Sequence, residues 1–257
     1  MSEEKDKTKA TVSMEDLVSL AKRRGFVFQA SEIYGGLAGF YDWGPYGSEM
    51  LKNIKDAWWN AMVYGHTNIV GVNTAIIQNP KLWEASGHVE TFADPMIDCK
   101  SCKHRFRADH VAGVDTNDLQ KLDAALADKS CPNCGKKGTF TSARKFNMMF
   151  KTNVGPVDDE SSVSYLRPET AQGIFTSYKN VVDSLYPDLP FGIAQQGKAF
   201  RNEISPRDFV FRSREFEQME IEYFVDEKDW KKEFEKWVKL IHEWCEVLGL
   251  PKESIHE

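Results

Sequence analysis

The stretch from Phe191 to Phe224, FGIAQQGKAFRNEISPRDFVFRSREFEQMEIEYF, restricts the fold more than any other part of the chain. An apolar opening, a loop holding Pro206 and a second run from Arg214 to Phe224 predict a strand, a long loop and a returning strand. A period of two puts Arg214, Phe216, Gln218, Glu220 and Glu222 on one face of the returning strand, and Glu215, Glu217, Met219, Ile221 and Tyr223 on the other. A half-buried strand ordinarily segregates apolar from polar residues, and this one does not. Its first face offers a cation, a flat aromatic and polar groups in succession, which suits a ligand carrying phosphate, a purine ring and an ammonium. Arg201 and Glu203 repeat that parity on the incoming strand. The same residues are as compatible with cross-strand ion pairs on a solvated hairpin.

With 257 residues, 41% hydrophobic and 28% charged, the chain is long enough for one large domain or two smaller ones with a substantial core. Its net charge of −6 argues against a protein that coats nucleic acid by bulk charge, although a local basic loop can still meet RNA. No apolar run approaches the roughly 20 residues of a membrane helix, and the start MSEEKDKTKATVS is too charged for a signal peptide, so a cytosolic protein is expected. Residues 1–12 read as a disordered tail. Ser13 with Asp16 marks a helix start and Gly25 its stop. Residues 26–47 are rich in aromatics and in glycines that read as turn residues. Met50, Leu51, Ile54, Ala57, Trp58, Ala61 and Met62 then make an amphipathic helix ending at Gly65, and Asn68 to Gln78 reads as a strand broken by Asn79-Pro80.

Residues 98–141 have the character of an insertion. Cys99-x-x-Cys102 and Cys131-x-x-Cys134 flank a basic passage and an expected helix from Asp118 to Ala127. In a reducing compartment this doubled spacing indicates one zinc ion in tetrahedral thiolate ligation, structural because four thiolates leave no open position for water. Two strands are expected at Lys145 to Lys151 and Ser162 to Leu166. Pro168 can then open a helix with Glu169 in its first turn, where a carboxylate compensates the helix dipole. Trp230, Phe234, Trp237, Val238, Ile241, Cys245 and Leu248 mark a final amphipathic helix closed by Gly249 and Pro251.

Several of these strings carry a resemblance. Phe-Arg-Asn-Glu followed by Arg-Glu-Phe resembles motif 2 of the class II aminoacyl-tRNA synthetases, and RNEISPR, REFEQMEIEYF, LRPETAQG, RADH and LWEASGHVETFADPM are similar to the homodimeric glycyl branch of that family. The helix, strand and proline before them are like motif 1. The resemblance implies an α+β fold, a class II antiparallel sheet flanked by helices, with a zinc-ribbon-like insertion. It divides the chain into a first catalytic part (13–97, motif 1), the insertion (98–141) and a second catalytic part (142–257, motif 2). No Gly-x-Gly-x-x-Arg string of motif 3 occurs, so the chain is expected to be the front portion of the family's architecture, without motif 3 or the anticodon-binding domain.

The activity implied is ATP-dependent activation of glycine and its transfer to tRNA(Gly), with magnesium accompanying the nucleotide and a homodimer formed through the motif 1 helix and strand. Arg201 would bridge the glycine carboxylate and the α-phosphate. The ATP site would comprise Arg201, Asn202, Glu203, Phe211, Arg212, Ser213, Arg214, Glu215 and Phe216, with Phe216 stacked on adenine, Glu203 accepting from its amine and Arg212 by the outer phosphates. The amino-acid site would comprise Arg107, Glu169, Phe216, Glu217, Gln218, Met219 and Glu220, with Glu169 and Glu220 around the ammonium. Arg107 can equally be a surface arginine beside a zinc knuckle. Two other readings stand: a non-catalytic zinc-ribbon module binding RNA or protein, and a class II synthetase for another small amino acid.

Overall fold

The computed structural model describes residues 12–157, 159–206 and 208–256. The expected tail therefore lies, apart from its last residue, outside the described residues.

The two alternating runs form a hairpin of two ten-residue strands, Phe191–Phe200 and Glu215–Phe224, paired along their whole length from Phe191↔Phe224 to Phe200↔Glu215. One further backbone bond, from the Arg201 amide to the Arg214 carbonyl, carries the pairing into the loop. A third strand, Ile69–Gly71, joins the other edge of Phe191–Phe200, and it runs parallel rather than antiparallel.

That third strand is only part of the one expected. The single strand predicted from Asn68 to Gln78 is instead two, Ile69–Gly71 in the hairpin sheet and Ile77–Gln78 in a second sheet with Lys151–Asn153 and Val163–Leu166. The crossing between sheets is fixed by polar contacts that no periodicity reveals. Thr74 Oγ1 donates to Gln195 Oε1 at 2.9 Å, and buried Arg167 donates to the Thr74 carbonyl at 2.9 Å and the Lys198 carbonyl at 2.7 Å. Likewise Lys145 to Lys151 is not one buried strand. Arg144–Asn147 pairs with Ala93–Asp98, while Lys151–Asn153 belongs to the second sheet.

One face of the hairpin, carrying Met219, Ile221 and Tyr223, packs on Trp58, Met62 and Val63, with Trp237 and Trp244 beside them. The supporting helix is Pro45–Trp59, continued by a wider turn over Asn60–Tyr64. It begins before the expected start at Met50 because Pro45 occupies its first turn, where a proline's missing N–H costs nothing. The final helix, Trp230–Val247, covers the hairpin chiefly through Trp237 and Trp244. Trp230, Phe234 and Ile241, expected on its inner stripe, are at least half exposed.

Against the opposite hairpin face lies Ala171–Leu185, whose Ile174 and Val181 close a second core with Phe191, Ile193 and Phe224. The cysteine segment forms its own core. Ile97, Leu122, Leu126 and Phe140 pack with Cys99 and Cys131, beneath a sheet of Ala93–Asp98, Arg105–Arg107 and Arg144–Asn147. Its helix Leu119–Leu126 opens on Asp118, which accepts from the amides of Gln120 and Lys121. No described helix is long and apolar enough to cross a membrane.

Candidate functional site

Strand register decides which predicted residues share a face. Phe216, Gln218, Glu220 and Glu222 stand opposite Ala199, Gly197, Gln195 and Ile193, on the side covered by Ala171–Leu185. Glu217 and Met219 point to the opposite side, where Glu217 accepts from Lys55 Nζ at 3.0 Å and Met219 packs in the tryptophan core. Glu215 is on that second side too, paired with Lys198. The structure therefore does not bring Glu215, Glu217 and Met219 to the Phe216 face.

Arg201 leaves the end of its strand and lies between two aromatic rings, its guanidinium carbon 5.3 Å from the centroid of Phe216 and 5.6 Å from that of Phe92. Its Nε donates to the Pro168 carbonyl at 3.1 Å, and its Nη2 lies 3.9 Å from Glu169 Oε2. Two rings and a carbonyl hold the guanidinium while its Nη groups stay available to a carboxylate or phosphate, the planar geometry a guanidinium fits.

Glu169 is not in the first turn of the helix. The helix starts at Ala171 with Thr170 as its cap, so Glu169 precedes it and the dipole role does not apply. The fixed φ of Pro168 and the turn after it aim the carboxylate into the site instead. Its Oε1 accepts from Gln172 Nε2 at 2.7 Å and lies 3.4 Å from His88 Nε2. The neighbouring, fully buried Thr170 donates from Oγ1 to Glu220 Oε2. Thus Glu169 and Glu220, distant in sequence, meet around one turn. Glu222 joins them, and burial, followed by the charges of Glu220 and Glu169, pushes its pKa above the usual carboxylate range. A cation placed among these carboxylates would relieve their mutual repulsion.

The loop beyond Arg201 is held differently. Arg212 pairs with Glu203 Oε2 at 2.8 Å. Arg214 donates to the backbone carbonyls of Glu203, at 2.7 Å, and Ala38, at 2.9 Å, so it shapes the loop rather than projecting from it. Ser213 is buried, with Oγ donating to the Val210 carbonyl, and Phe211 is exposed. Asn202 donates its backbone N–H to the Met148 carbonyl at 2.7 Å. Arg107 reaches Asp94 at 2.6 Å and Asp109 at 2.7 Å. Burial raises the Asp94 carboxyl, against the pull of Arg107, and Glu203 and Arg212 are close enough to contribute. Arg107 is thereby tied to the loop's charges and not to the Glu169 cluster.

Cys99, Cys102, Cys131 and Cys134 place all four sulfurs within 4.8 Å of one another. Cys99 and Cys134 are 3.8 Å apart and Cys102 and Cys131 3.7 Å, and a regular tetrahedron with zinc–sulfur arms of about 2.3 Å has edges of about 3.8 Å. The donor set fits zinc. A hydrogen bond from Thr139 Oγ1 leads the effects that bring the Cys99 thiol down to about 6, toward the thiolate a metal requires.

Sequence reasoning passed over His88, Phe92 and Thr170. All three sit within strings, LWEASGHVETFADPM and LRPETAQG, noted only for their family likeness.

Comparison with known proteins finds synthetase relatives. The tRNA synthetase class II core domain (G, H, P, S and T) matches residues 146–257. Glycine–tRNA ligase of Borreliella burgdorferi (strain ZS7) is 56% identical over 226 residues, 88% of this chain and 48% of that protein. The enzyme of Treponema denticola is 55% identical over 239 residues, 93% of this chain and 50% of that one, and that of Thermobifida fusca 50% over 247 residues, 95% and 53%. This chain spans about half the length of those relatives. In fold it is similar to a structure titled as the RNA binding domain of threonyl-tRNA synthetase from Cryptosporidium parvum Iowa II, with a TM-score of 0.55 at 17% identity over 90% of this chain and 42% of that one.

Proposed function

We propose that this chain, a homologue of the glycine–tRNA ligases over most of its length, contributes the glycine- and ATP-binding half of an enzyme that forms glycyl-adenylate and passes the glycyl group to tRNA. The observation that carries this is the convergence on one hairpin face of Arg201, stacked on Phe216, with Glu169 and Glu220. A glycine carboxylate is already a nucleophile at neutral pH. Activation needs it aligned on the α-phosphate, with charge stabilised as pyrophosphate leaves. Arg201 suits that task as a permanent, planar cation able to hold a carboxylate and a phosphate together.

Glu169 and Glu220 take the ammonium in this reading. Phe216 offers its ring to adenine, Gln218 lines the same face, and Arg212 and Glu203 stand by the phosphates and the adenine amine. Asn202, Phe211, Ser213 and Arg214 frame the loop, and Arg107 buttresses it. Magnesium accompanies ATP. Zinc on the four cysteines supplies structure only. Exposed Lys100, Lys103, Lys129, Lys136 and Lys137 in and around the two knuckles suit the phosphates of tRNA. Homodimer formation through Pro45–Trp59 and Ile69–Gly71 belongs to the same reading, and exposed Tyr46 and Met50 lie on that helix.

The test is glycine-dependent exchange of pyrophosphate into ATP by protein expressed from the complete reading frame. Exchange with glycine and not with alanine or serine is expected; the absence of glycine-dependent exchange refutes the reading.

A further inference from the structure

Two short elements precede the zinc segment, Pro80–Ala85 and His88–Thr91, and the proposed chemistry gives them no part. We infer that His88 is a positioning residue for glycine selection: it holds the Glu169 carboxylate in the orientation that receives the ammonium. The inference rests on the glycine-activating reading and deepens it.

The ring of His88 is tightly placed. It lies edge-on to fully buried Trp83, centroids 5.5 Å apart, and against Phe92 at 5.4 Å. Its backbone is pinned from the far side, because Asn147 Nδ2 donates to the carbonyls of His88, at 3.2 Å, and Val89, at 2.8 Å. The two ring nitrogens then have distinct partners. Nδ1 is 2.9 Å from Ser86 Oγ, and Nε2 faces Glu169 Oε1 at 3.4 Å. The tautomer with its proton on Nε2 suits both neighbours, since a carboxylate can only accept and Nδ1 can then accept from the Ser86 hydroxyl.

This arrangement divides the carboxylate. Oε1 accepts from Gln172 and faces His88, while Oε2 is turned toward Arg201. Without the ring, Glu169 would retain Gln172 but lose the contact that fixes its second rotational freedom, and it could swing toward Arg201 to make a closer ion pair. Such a pair would spend both the ammonium ligand and the phosphate ligand on each other. His88 thus holds Glu169 and Arg201 to a long contact of 3.9 Å instead of a close ion pair. Phe92, the residue that closes the His88–Thr91 helix, lies against the Arg201 guanidinium, so one short element serves both groups.

The test uses protein expressed from the complete reading frame with zinc bound, comparing His88→Gln with His88→Asn. A glutamine amide nitrogen can occupy the Nε2 position, whereas an asparagine amide reaches only the Nδ1 position. Both are polar and tolerable in a partly open site. In pyrophosphate exchange, His88→Asn is expected to raise the glycine KM about tenfold with the ATP KM within twofold and melting nearly unchanged, and His88→Gln is expected to restore most of the glycine KM. A glycine KM unchanged in His88→Asn, or equal rises for glycine and ATP, would overturn the positioning role while leaving the activity standing. Absence of exchange in the unsubstituted protein would refute the activity and this inference with it.

Discussion

At the scale of single residues, Arg201 uses each feature of its guanidinium separately: faces on Phe92 and Phe216, one edge on the Pro168 carbonyl, and the remaining edge toward Glu169. These contacts hold it in place without neutralising it. Arg201→Ala should therefore slow glycine-dependent pyrophosphate exchange by about two orders of magnitude, the scale of losing a donor aimed at transition-state charge, with little change in melting. Near-normal exchange would assign the role to another cation. Glu169→Gln and Glu220→Gln should each raise the glycine KM far more than the ATP KM, because the proposed site sets the ammonium and not a phosphate against them; equal losses would place both outside the amino-acid site. Glu222 makes a stability argument. Its folded pKa is raised above the unfolded value, so its ionised form disfavours folding at neutral pH. That cost is fully present above the folded pKa and vanishes as pH falls below the ordinary glutamate value of 4.5. Glu222→Gln should thus raise the melting temperature at pH 7, with the gain disappearing toward pH 4. A loss of stability at pH 7 would mean that Glu222 has a cationic partner. Arg201, Glu220 and Phe216 were readable from strand parity because parity alone puts them together. His88 was not, because nothing in its local string says that Glu169, some eighty residues later, will lie beside it.

At the scale of elements, the hairpin was legible for the same reason: a period of two survives wherever a strand has two distinct faces, and a one-residue slip would exchange Phe216 for Glu217. The strand expected from Asn68 to Gln78 was misread because β-branched composition reports extended backbone but not which sheet the backbone joins. That decision is made by Arg167. Its guanidinium is buried with no carboxylate bonded to it, burial lowers its pKa, and its Nε and Nη1 donate to carbonyls of two different segments. The absence of a side chain at Gly197 makes this possible, since a Cβ there would lie 2.3 Å from Arg167 Nη2. Arg167→Lys keeps the charge but not the fork, so one of the two carbonyls loses its donor. We expect a loss of about 2 kcal/mol in urea unfolding, within the range for hydrogen bonds to charged groups. An unchanged midpoint and slope would show that the sheet crossing is held elsewhere.

At the scale of the whole molecule, the apolar cores are separate. The cysteine segment closes one from Ile97, Leu122, Leu126, Phe140 and its own thiols, while the hairpin is stabilised by Trp58, Ile69, Ala194 and, on its other face, by Ile174 and Ile193. The doubled Cys-x-x-Cys spacing was enough to foresee the first. It was silent on how that core communicates with the site, which happens through polar contacts at its edge: Ser205 Oγ donates to the Arg105 carbonyl at 3.3 Å, and Arg107 lies within the charge network of Glu203 and Arg212. Stripping zinc should consequently unfold one part and only loosen the other. A core this small, with two of its buried members being cysteines of the proposed zinc site, has little to hold it once the thiolates are released. After treatment with a strong chelator, amides of Cys99, Leu122 and Cys131 should lose protection from hydrogen exchange, while those of Ile193 and Ala194 keep theirs. Purified protein should carry about one zinc per chain, and its removal should raise the ATP KM about tenfold while changing the glycine KM less, because the loop with Glu203 and Arg212 rests on the segment and the Glu169 turn does not. Protection retained throughout after zinc is gone would show that the thiol core stands without metal, and a larger effect on glycine than on ATP would mean that the zinc segment supports the amino-acid end instead.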